Sequence, residues 1–175
     1  MATYLIVASD FDNYRKLTPA ISAKYEERVR PYVLEAQIAD LRDLITKDFY
    51  NEVIEVAASE VDSANGKLTK VNYDLLLPYI KPVLAYYTWV RLIRNNQATI
   101  TVNSLVRKTN EYSEPTTERE ITRLANDAEG MARIYSDDLI KYLTDNKANF
   151  TTWRDRDKQG DTERVSVRIS AVSND

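Results

Sequence analysis

Apolar residues recur every three or four positions over most of this chain, which is the period of a helix with one buried face. A helix beginning near Pro31 is predicted, because proline is tolerated in a first turn, and Thr46 is predicted to cap the next helix. The first apolar stripe consists of Leu34, Ile38, Leu41 and Ile45. The second consists of Tyr50, Val53, Ile54, Ala57 and Val61. Both patterns predict surface helices with one face on a core.

A third helical region, residues 75–93, is apolar on most faces. A helix without a polar face is normally buried on most sides, so this region is predicted to lie at the centre of the domain. Pro78 and Pro82 are predicted to kink or divide it. Core packing with polar ends near the surface explains its aromatic residues better than a ligand pocket does. These residues are Tyr79, Tyr86, Tyr87 and Trp89.

A fourth helix is predicted after Pro115, where Thr117 and Glu120 have the spacing of a capping box. Its apolar stripe continues past Gly130, although glycine costs about 1 kcal/mol relative to alanine inside a helix. The stripe consists of Ile121, Leu124, Ala128, Met131, Tyr135, Leu139 and Tyr142. The pattern predicts one long helix that includes the glycine.

Three segments have the pattern of strands. Residues 3–9 are short, apolar and β-branched, residues 98–106 lose the helical period, and residues 165–171 alternate strictly. The predicted fold is therefore mainly α, a bundle of about four helices with small β additions from the termini and the central 98–106 arm. The predicted parts are an N-terminal arm or strand (1–20), a helical domain (21–146) and a C-terminal extension with a terminal strand (147–175).

Composition excludes several kinds of site. The 175 residues include no Cys and no His, so disulfides, thiolates, and the commonest general base and transition-metal ligand are missing. With three glycines, the chain has no glycine-rich phosphate loop. The 24 basic and 27 acidic residues argue against general nucleic-acid binding. We expect a protein without enzymatic activity and without a cofactor.

Neither a signal peptide nor a membrane span is predicted. The first residues lack a basic segment followed by a long apolar run, and no stretch approaches the roughly 20 apolar residues that cross a bilayer. We expect a soluble protein that is made in the cytoplasm and has no membrane partner.

Carboxylates remain as candidate catalytic or metal-binding groups. A pair of them could act as acid and base or bind Mg²⁺. Most, however, fall opposite the apolar stripes, which is where solvated charges of surface helices normally lie, and this interpretation is favoured. They are Glu26, Glu27, Glu35, Asp40, Asp43, Glu118, Glu120, Asp127, Glu129, Asp137 and Asp138.

Two polar segments are candidate docking surfaces. Residues 106–115 exceed the usual connection of about 4–6 residues, and they pack either on their own domain or on a partner. Residues 153–158 alternate basic and acidic side chains after a tryptophan, which favours a solvated or protein-docking loop over base stacking and phosphate binding. With the C-terminal strand they supply the predicted interface: Arg107, Lys108, Tyr112, Glu114, Pro115, Trp153, Arg154, Arg156, Val165, Val167 and Ile169.

Three segments in a fixed order resemble a family of phage proteins. They are "RPYVLEAQIADLRDLITKDFYNEV", "LLPYIKPVLAYYTWVRLI", and "LVRKTNEYSEPTTEREI" opening a helix that ends in "YSDDLIKYLTDN". Together they are similar to head–tail connector (ring or adaptor) proteins of tailed phages, such as those of crAss-like gut phages. The resemblance covers about residues 21–146, and the flanking segments match nothing comparable.

The resemblance implies a structural role in the virion. Such proteins form a closed homo-oligomeric ring, commonly a dodecamer, which joins the capsid portal to the tail and extends the DNA channel. The expected partners are other copies of the chain, the portal protein and other tail or ring proteins, while genomic DNA passes through the lumen without specific binding. The expected location is the head–tail junction, after synthesis in the bacterial host cytoplasm. The family offers no catalytic residues to carry over.

Two other classes of function are compatible with the sequence. One is a small monomeric helical protein that binds and regulates another protein. The other is a carboxylate-dependent metal enzyme, which requires Asp or Glu pairs that converge inside the fold.

Overall fold

The fold is mainly α, as the hydrophobic pattern predicted. The computed structural model describes residues 2–17, 19–95, 98–100, 105–107 and 118–154. The α-helices are Pro19–Ser22 (α1), Tyr25–Arg28 (α2), Arg30–Ala36 (α3), Arg42–Ile45 (α4), Lys47–Ser59 (α5), Lys70–Asn95 (α6) and Glu118–Asp145 (α7). Single turns of other helix types are Ala8–Asn13 (3₁₀), Gln37–Leu41 (π) and Lys147–Asn149 (3₁₀). Ala98–Ile100 (β1) pairs antiparallel with Leu105–Arg107 (β2).

α6 is the central helix, as predicted, and it packs on α3, α5, α7 and the first 3₁₀ turn. Its buried side chains, including Ile80, Val83 and Leu84, cover several faces. Of the two outcomes predicted at Pro78 and Pro82, a kink or a division of the helix, division does not occur, because α6 continues through both residues. Each proline removes one backbone N–H group, yet burial on several sides holds the helix together across the lost hydrogen bonds.

α7 packs lengthwise against α6 through small side chains. The small side chains that are buried in the middle of α7 are Ala125, Ala128, Ala132 and Ser136. Leu124, which the stripe placed in the core, is exposed instead. Small side chains let two helix backbones approach closely, so the alanine row faces α6 and the larger leucine is turned outward. As predicted, α7 is one helix through Gly130.

The π turn changes which residues of the first helix are buried. Residues 30–45 are continuously helical, and the π turn Gln37–Leu41 adds one residue to the repeat. The predicted stripe is correct at Leu41 and Ile45, which follow the turn. It is wrong at Ile38, which is 40% exposed, because Gln37 takes the buried position.

The N-terminal segment was predicted to be an arm or a strand, and its described residues form no strand. Residues 3–7 have no strand partner in the described part of the chain, and Ala8–Asn13 is a 3₁₀ turn. The segment instead bonds to side chains: the Gln37 amide accepts the Leu5 N–H and donates to the Thr3 carbonyl, at 2.9 and 3.0 Å. Leu5, Ile6 and Phe11 lie in the main core. These residues therefore belong to the body of the fold.

The segment after α7 also contributes to the main core. Phe150 and Trp153 are both almost fully buried, and the Phe150 ring packs edge-on against Phe49 with centroids 5.8 Å apart. One core thus extends from the N-terminal segment to Trp153. The predicted C-terminal strand, residues 165–171, lies outside the described residues.

The connections around α5 combine a turn with an unusual backbone. Residues 62–67 form the turn, with Gly66 at φ +66°. Thr46 does flank α5, but its side chain makes no capping hydrogen bond, and its backbone has φ +71°. Val61 lies beyond the end of α5 and is exposed, so it is not part of the second stripe.

Candidate functional site

The predicted interface residues are only partly described by the structure. Arg107 lies in β2, where the backbone alone is described, and the side chain of Arg154 is exposed. The prediction that Trp153 contributes to an interface is wrong, because its side chain is 1% exposed. The others lie outside the described residues: Lys108, Tyr112, Glu114, Pro115, Arg156, Val165, Val167 and Ile169.

Trp153 anchors the end of the described chain in the core. Its backbone N–H bonds to the Phe150 carbonyl at 3.1 Å, closing a tight turn that directs both rings inward. Its indole Nε1 has no acceptor among the described residues. The prediction of a solvated or protein-docking loop at residues 153–158 is tested only at its first two residues, where Trp153 is buried and Arg154 is exposed, because residues 155–158 lie outside the described residues.

A recess of about 500 Å³ opens between the start of α5 and the last described residues of the C-terminal segment. We call it the basic recess, and it is lined by Thr46, Lys47, Asp48, Lys67, Thr151, Thr152 and Arg154. Three of these side chains are cationic and one is acidic. Within the described part of the chain, none of the three cations takes part in an ion pair. The recess therefore has an excess of positive charge.

The recess lies where hydrogen bonds join α5 to the C-terminal segment. Glu52 is buried, and its Oε1 accepts hydrogen bonds from Asn65 at 2.5 Å and from Thr152 at 2.9 Å. These bonds join α5 to the 62–67 turn and to the C-terminal segment. At the edge of the recess, Thr46 has a left-handed backbone, which is strained for a β-branched residue.

An apolar row runs along the exposed side of α6. Val71, Leu75 and Tyr79 are four positions apart, and we call them the α6 stripe. Val71 is 69% and Leu75 56% exposed, while the Tyr79 ring stacks on Tyr142 of α7 with centroids 4.1 Å apart. Spacing by four residues puts all three on one face of the helix.

The α6 stripe begins beside the basic recess. Lys67 of the recess precedes Val71 by four residues in the sequence. The Asn72 amide donates to the Asn149 carbonyl at 3.3 Å, which fixes the start of α6 against the segment that leads to Thr151. This bond places the start of the α6 stripe near the segment that lines the recess.

α7 has a second exposed region on the side away from α6. We call it the α7 outer face, and it consists of Leu124, Asp127, Gly130, Ile134, Asp137 and Asp138, which lie on one side of the helix. Ile134 is 55% exposed. No described residue forms an ion pair with any of its three aspartates. A Cβ added at Gly130 would meet no atom within 4 Å, so nothing in the described chain requires a glycine there.

Two of the candidate carboxylates, Asp40 and Glu129, form ion pairs with arginines of α6. Arg91 of α6 lies 2.5 Å from Asp40 of the π turn, and Glu129 of α7 bonds to both Arg94 and Arg133 at 2.8 Å. Burial raises the pKa of Asp40, and Arg91 acts against that rise. Hydrogen bonds from Arg133 and Arg94 lower the pKa of Glu129. These acids join neighbouring helices, which is a structural role.

The structure reveals buried polar residues that the sequence interpretation missed. Asp10 is buried, accepts the Val7 N–H at 2.9 Å and pairs with Lys81 at 2.7 Å. Glu52 and Gln37 are likewise buried and hydrogen-bonded. No local pattern shows that they are buried, since each also has a partner distant in sequence: Lys81 for Asp10, Thr152 for Glu52 and Leu5 for Gln37. Across the described ranges, no three His, Cys, Asp or Glu residues are grouped so as to hold a metal ion.

Comparison with known proteins yields one family. The family described as "Family of unknown function (DUF6712)" has a sequence model that matches residues 41–163. The chain belongs to DUF6712. No curated protein and no solved structure matches it. The DUF6712 match includes the basic recess, the α6 stripe and the α7 outer face, so all three surface features lie within the part that defines the family.

None of the described helices combines the length and the apolar character that a bilayer-crossing segment requires.

Proposed function

We propose that this DUF6712 protein is a structural virion protein whose copies form a ring connecting the capsid portal to the tail and extending the DNA channel. The observation that carries the proposal is the position of the exposed apolar residues, which lie on unlike faces of one helical body. A cyclic ring needs two different surfaces on each copy, because each surface meets the other surface of the next copy. The α6 stripe and the α7 outer face are such a pair.

The rigidity of the core supports an assembly role. One continuous core includes the N-terminal segment, the helices and Trp153, and ion pairs cross between α6 and its neighbours. A subunit of this kind presents preformed surfaces, so assembly does not require much ordering of the helical body. The order of the three sequence segments that resemble phage connector proteins adds independent support.

The proposed role is not enzymatic. Among the candidate carboxylates, Asp40 and Glu129 are paired with arginines. The proposal assigns no catalytic residue and no cofactor, and it treats the carboxylates as solvated groups or as links between helices. A metal enzyme would need oxygen ligands converging on one point.

The proposed partners are further copies of the chain, commonly in a dodecamer, the portal protein and other tail or ring proteins. Strand addition by residues 165–171 to a neighbouring chain is part of the proposal, since an added strand satisfies backbone groups across a subunit boundary. Genomic DNA passes through the lumen without specific binding, which suits a chain of net charge −3. The proposed location is the head–tail junction of a virion assembled in the bacterial cytoplasm.

Imaging of purified particles tests the proposal. An affinity label on the chain should mark a collar at one vertex, between portal and tail, and the chain should co-purify with the portal protein. A chain that is absent from purified particles while abundant in infected cells would contradict the proposal.

A monomeric regulator is the second candidate, and the basic recess is the observation that favours it. Its three cations form no ion pair with another described residue, and they fit a single acidic partner as well as a neighbouring copy. If the chain binds a soluble acidic protein as a single copy in infected cells and is absent from purified particles, the regulatory function is supported instead of the ring.

A further inference from the structure

We infer that the α7 outer face of one copy docks on the α6 stripe and basic recess of the next copy. The inference rests on the proposed ring and names the two surfaces that form its repeated contact. The occupant of each surface is a second copy of this chain. Three features of the described residues support the assignment: apolar exposure, charge and backbone shape.

Each surface exposes large apolar side chains. Val71 and Leu75 on one side, and Leu124 and Ile134 on the other, are each more than a third exposed. Exposed apolar residues are common singly, but grouped ones rimmed by charge are typical of interfaces. Docking the two surfaces would remove all four side chains from water at one contact.

The two surfaces have opposite charge. The basic recess holds three cations and one acid. The α7 outer face holds three aspartates, and it is flanked on the same side of the helix by Arg123 and by Lys141, which pairs with Asp145. Within the described ranges neither set is neutralised by ion pairs of its own. Opposite charges steer and orient two surfaces, and like charges oppose the alternative in which two α7 outer faces meet. Charge therefore favours contact between unlike surfaces, which is the contact a ring needs.

Gly130 lets another chain approach the α7 outer face closely. It lies one turn before Ile134, and space for a Cβ is free in the isolated chain. A glycine inside a helix is unfavourable, so its position at the middle of an exposed surface is explained if a neighbouring copy packs there.

Charge reversal tests the pairing through concentration-dependent association, measured by sedimentation velocity at low salt. Reversing the α7 outer face (Asp137→Lys with Asp138→Lys) should abolish association, and so should reversing the recess (Lys47→Glu with Lys67→Glu). The chain carrying all four changes should associate again, because the complementarity is restored with opposite sign. The matched control, Asp12→Lys with Glu27→Lys, changes two exposed acids elsewhere and should associate like the wild type.

Chemical crosslinking tests the register of the same contact. The chain has no cysteine, so Leu75→Cys with Ile134→Cys introduces the only thiols. A short bis-maleimide reagent should convert this variant into a ladder of multimers. Each single-cysteine variant should remain monomeric, since a cysteine on one surface then faces an unmodified surface. Dimers from a single-cysteine variant would show that like surfaces meet and would overturn the inference.

These outcomes separate the contact from the proposed function. A wild-type chain that does not associate at its highest soluble concentration, together with a double-cysteine variant that does not crosslink, overturns the assigned contact, whatever particle imaging shows. Association that survives both charge reversals also overturns it. If particles show a labelled collar but the Leu75→Cys with Ile134→Cys variant does not crosslink, the contact is rejected and the virion role is retained. A crosslinked ladder from a chain that is absent from particles rejects the virion role and retains the contact.

Discussion

Gln37 is joined to Leu5 by a hydrogen bond of 2.9 Å from the Leu5 N–H to the Gln37 Oε1, across 32 positions of sequence. The same amide donates to the Thr3 carbonyl at 3.0 Å. One side chain thus performs for residues 3–5 what a neighbouring strand would do in a sheet. Both donor and acceptor of a buried amide are satisfied, as burial requires.

Replacing Gln37 with Ala should destabilise the protein by about 1–3 kcal/mol, because the Leu5 N–H and Thr3 carbonyl lose their partner. Urea unfolding measures the loss, and hydrogen exchange at Leu5 should accelerate. Asn51→Ala, at an exposed position on α5, is the control and should change stability little. Equal effects of the two substitutions would show that the amide does not hold the N-terminal segment.

Trp153→Ala should cost about 3–5 kcal/mol, the usual range for removing a buried aromatic side chain. Trp153→Phe should cost less, because it keeps most of the ring and removes an indole N–H that has no described acceptor. Thermal unfolding measures both. A chain ending at Asn146, the sequence-based domain boundary, should be strongly destabilised since it lacks Phe150 and Trp153. A truncated chain as stable as the full one would contradict the single core.

Gly130→Ala should stabilise the monomer by about 1 kcal/mol, because alanine is the better helix former and its Cβ meets nothing. Gly66→Ala is the matched contrast and should destabilise by roughly 1–2 kcal/mol, since Gly66 has φ +66°. Thermal unfolding of dilute protein measures both changes. If Gly130 belongs to the inferred contact, the same alanine should weaken self-association, so the two measurements should move in opposite directions.

Glu129→Gln should lower stability at neutral pH by less than about 1 kcal/mol, since its ion pairs are partly exposed. The pKa of Glu129 is lowered in the folded protein, so its contribution is present above the ordinary value of 4.5. It is lost as the pH falls through the folded-state pKa, where the carboxyl becomes protonated. The difference between wild type and variant should therefore vanish in acid, as urea unfolding across pH would measure. Asn51→Ala, at an exposed site without a titrating side chain, should show no such pH-dependent difference.

The position of each helix was largely predictable, but the buried face was not. The period of Leu41 and Ile45 predicted a helix, which the structure contains. It did not predict the π turn, which buries Gln37 and exposes Ile38. A local pattern records which positions are apolar, and it does not record an extra residue in a turn. On α7 the same pattern could not distinguish Leu124 from Ala125, because the choice depends on how closely α6 approaches.

The candidate surfaces could be predicted only in part. The sequence directed attention to the charged segment after Trp153, and Arg154 does line the basic recess. Lys47 and Lys67, which complete its charge, are distant in sequence from Arg154 and gave no local signal. The exposed residues of the α6 stripe looked like core, since a helix that is apolar on most faces does not reveal which face lacks a partner.

By itself, the sequence determined the mainly α class, the central place of α6 and the absence of cysteine and histidine chemistry. These conclusions follow from periodicity, which is a property of short segments, and from composition, which does not depend on the order of the residues. Only the tertiary structure decided that the N-terminal segment bonds to Gln37, that Trp153 is buried, and that cations from three segments share a recess. Each depends on residues brought together from far apart in the chain, where packing and hydrogen-bond satisfaction outweigh local preference.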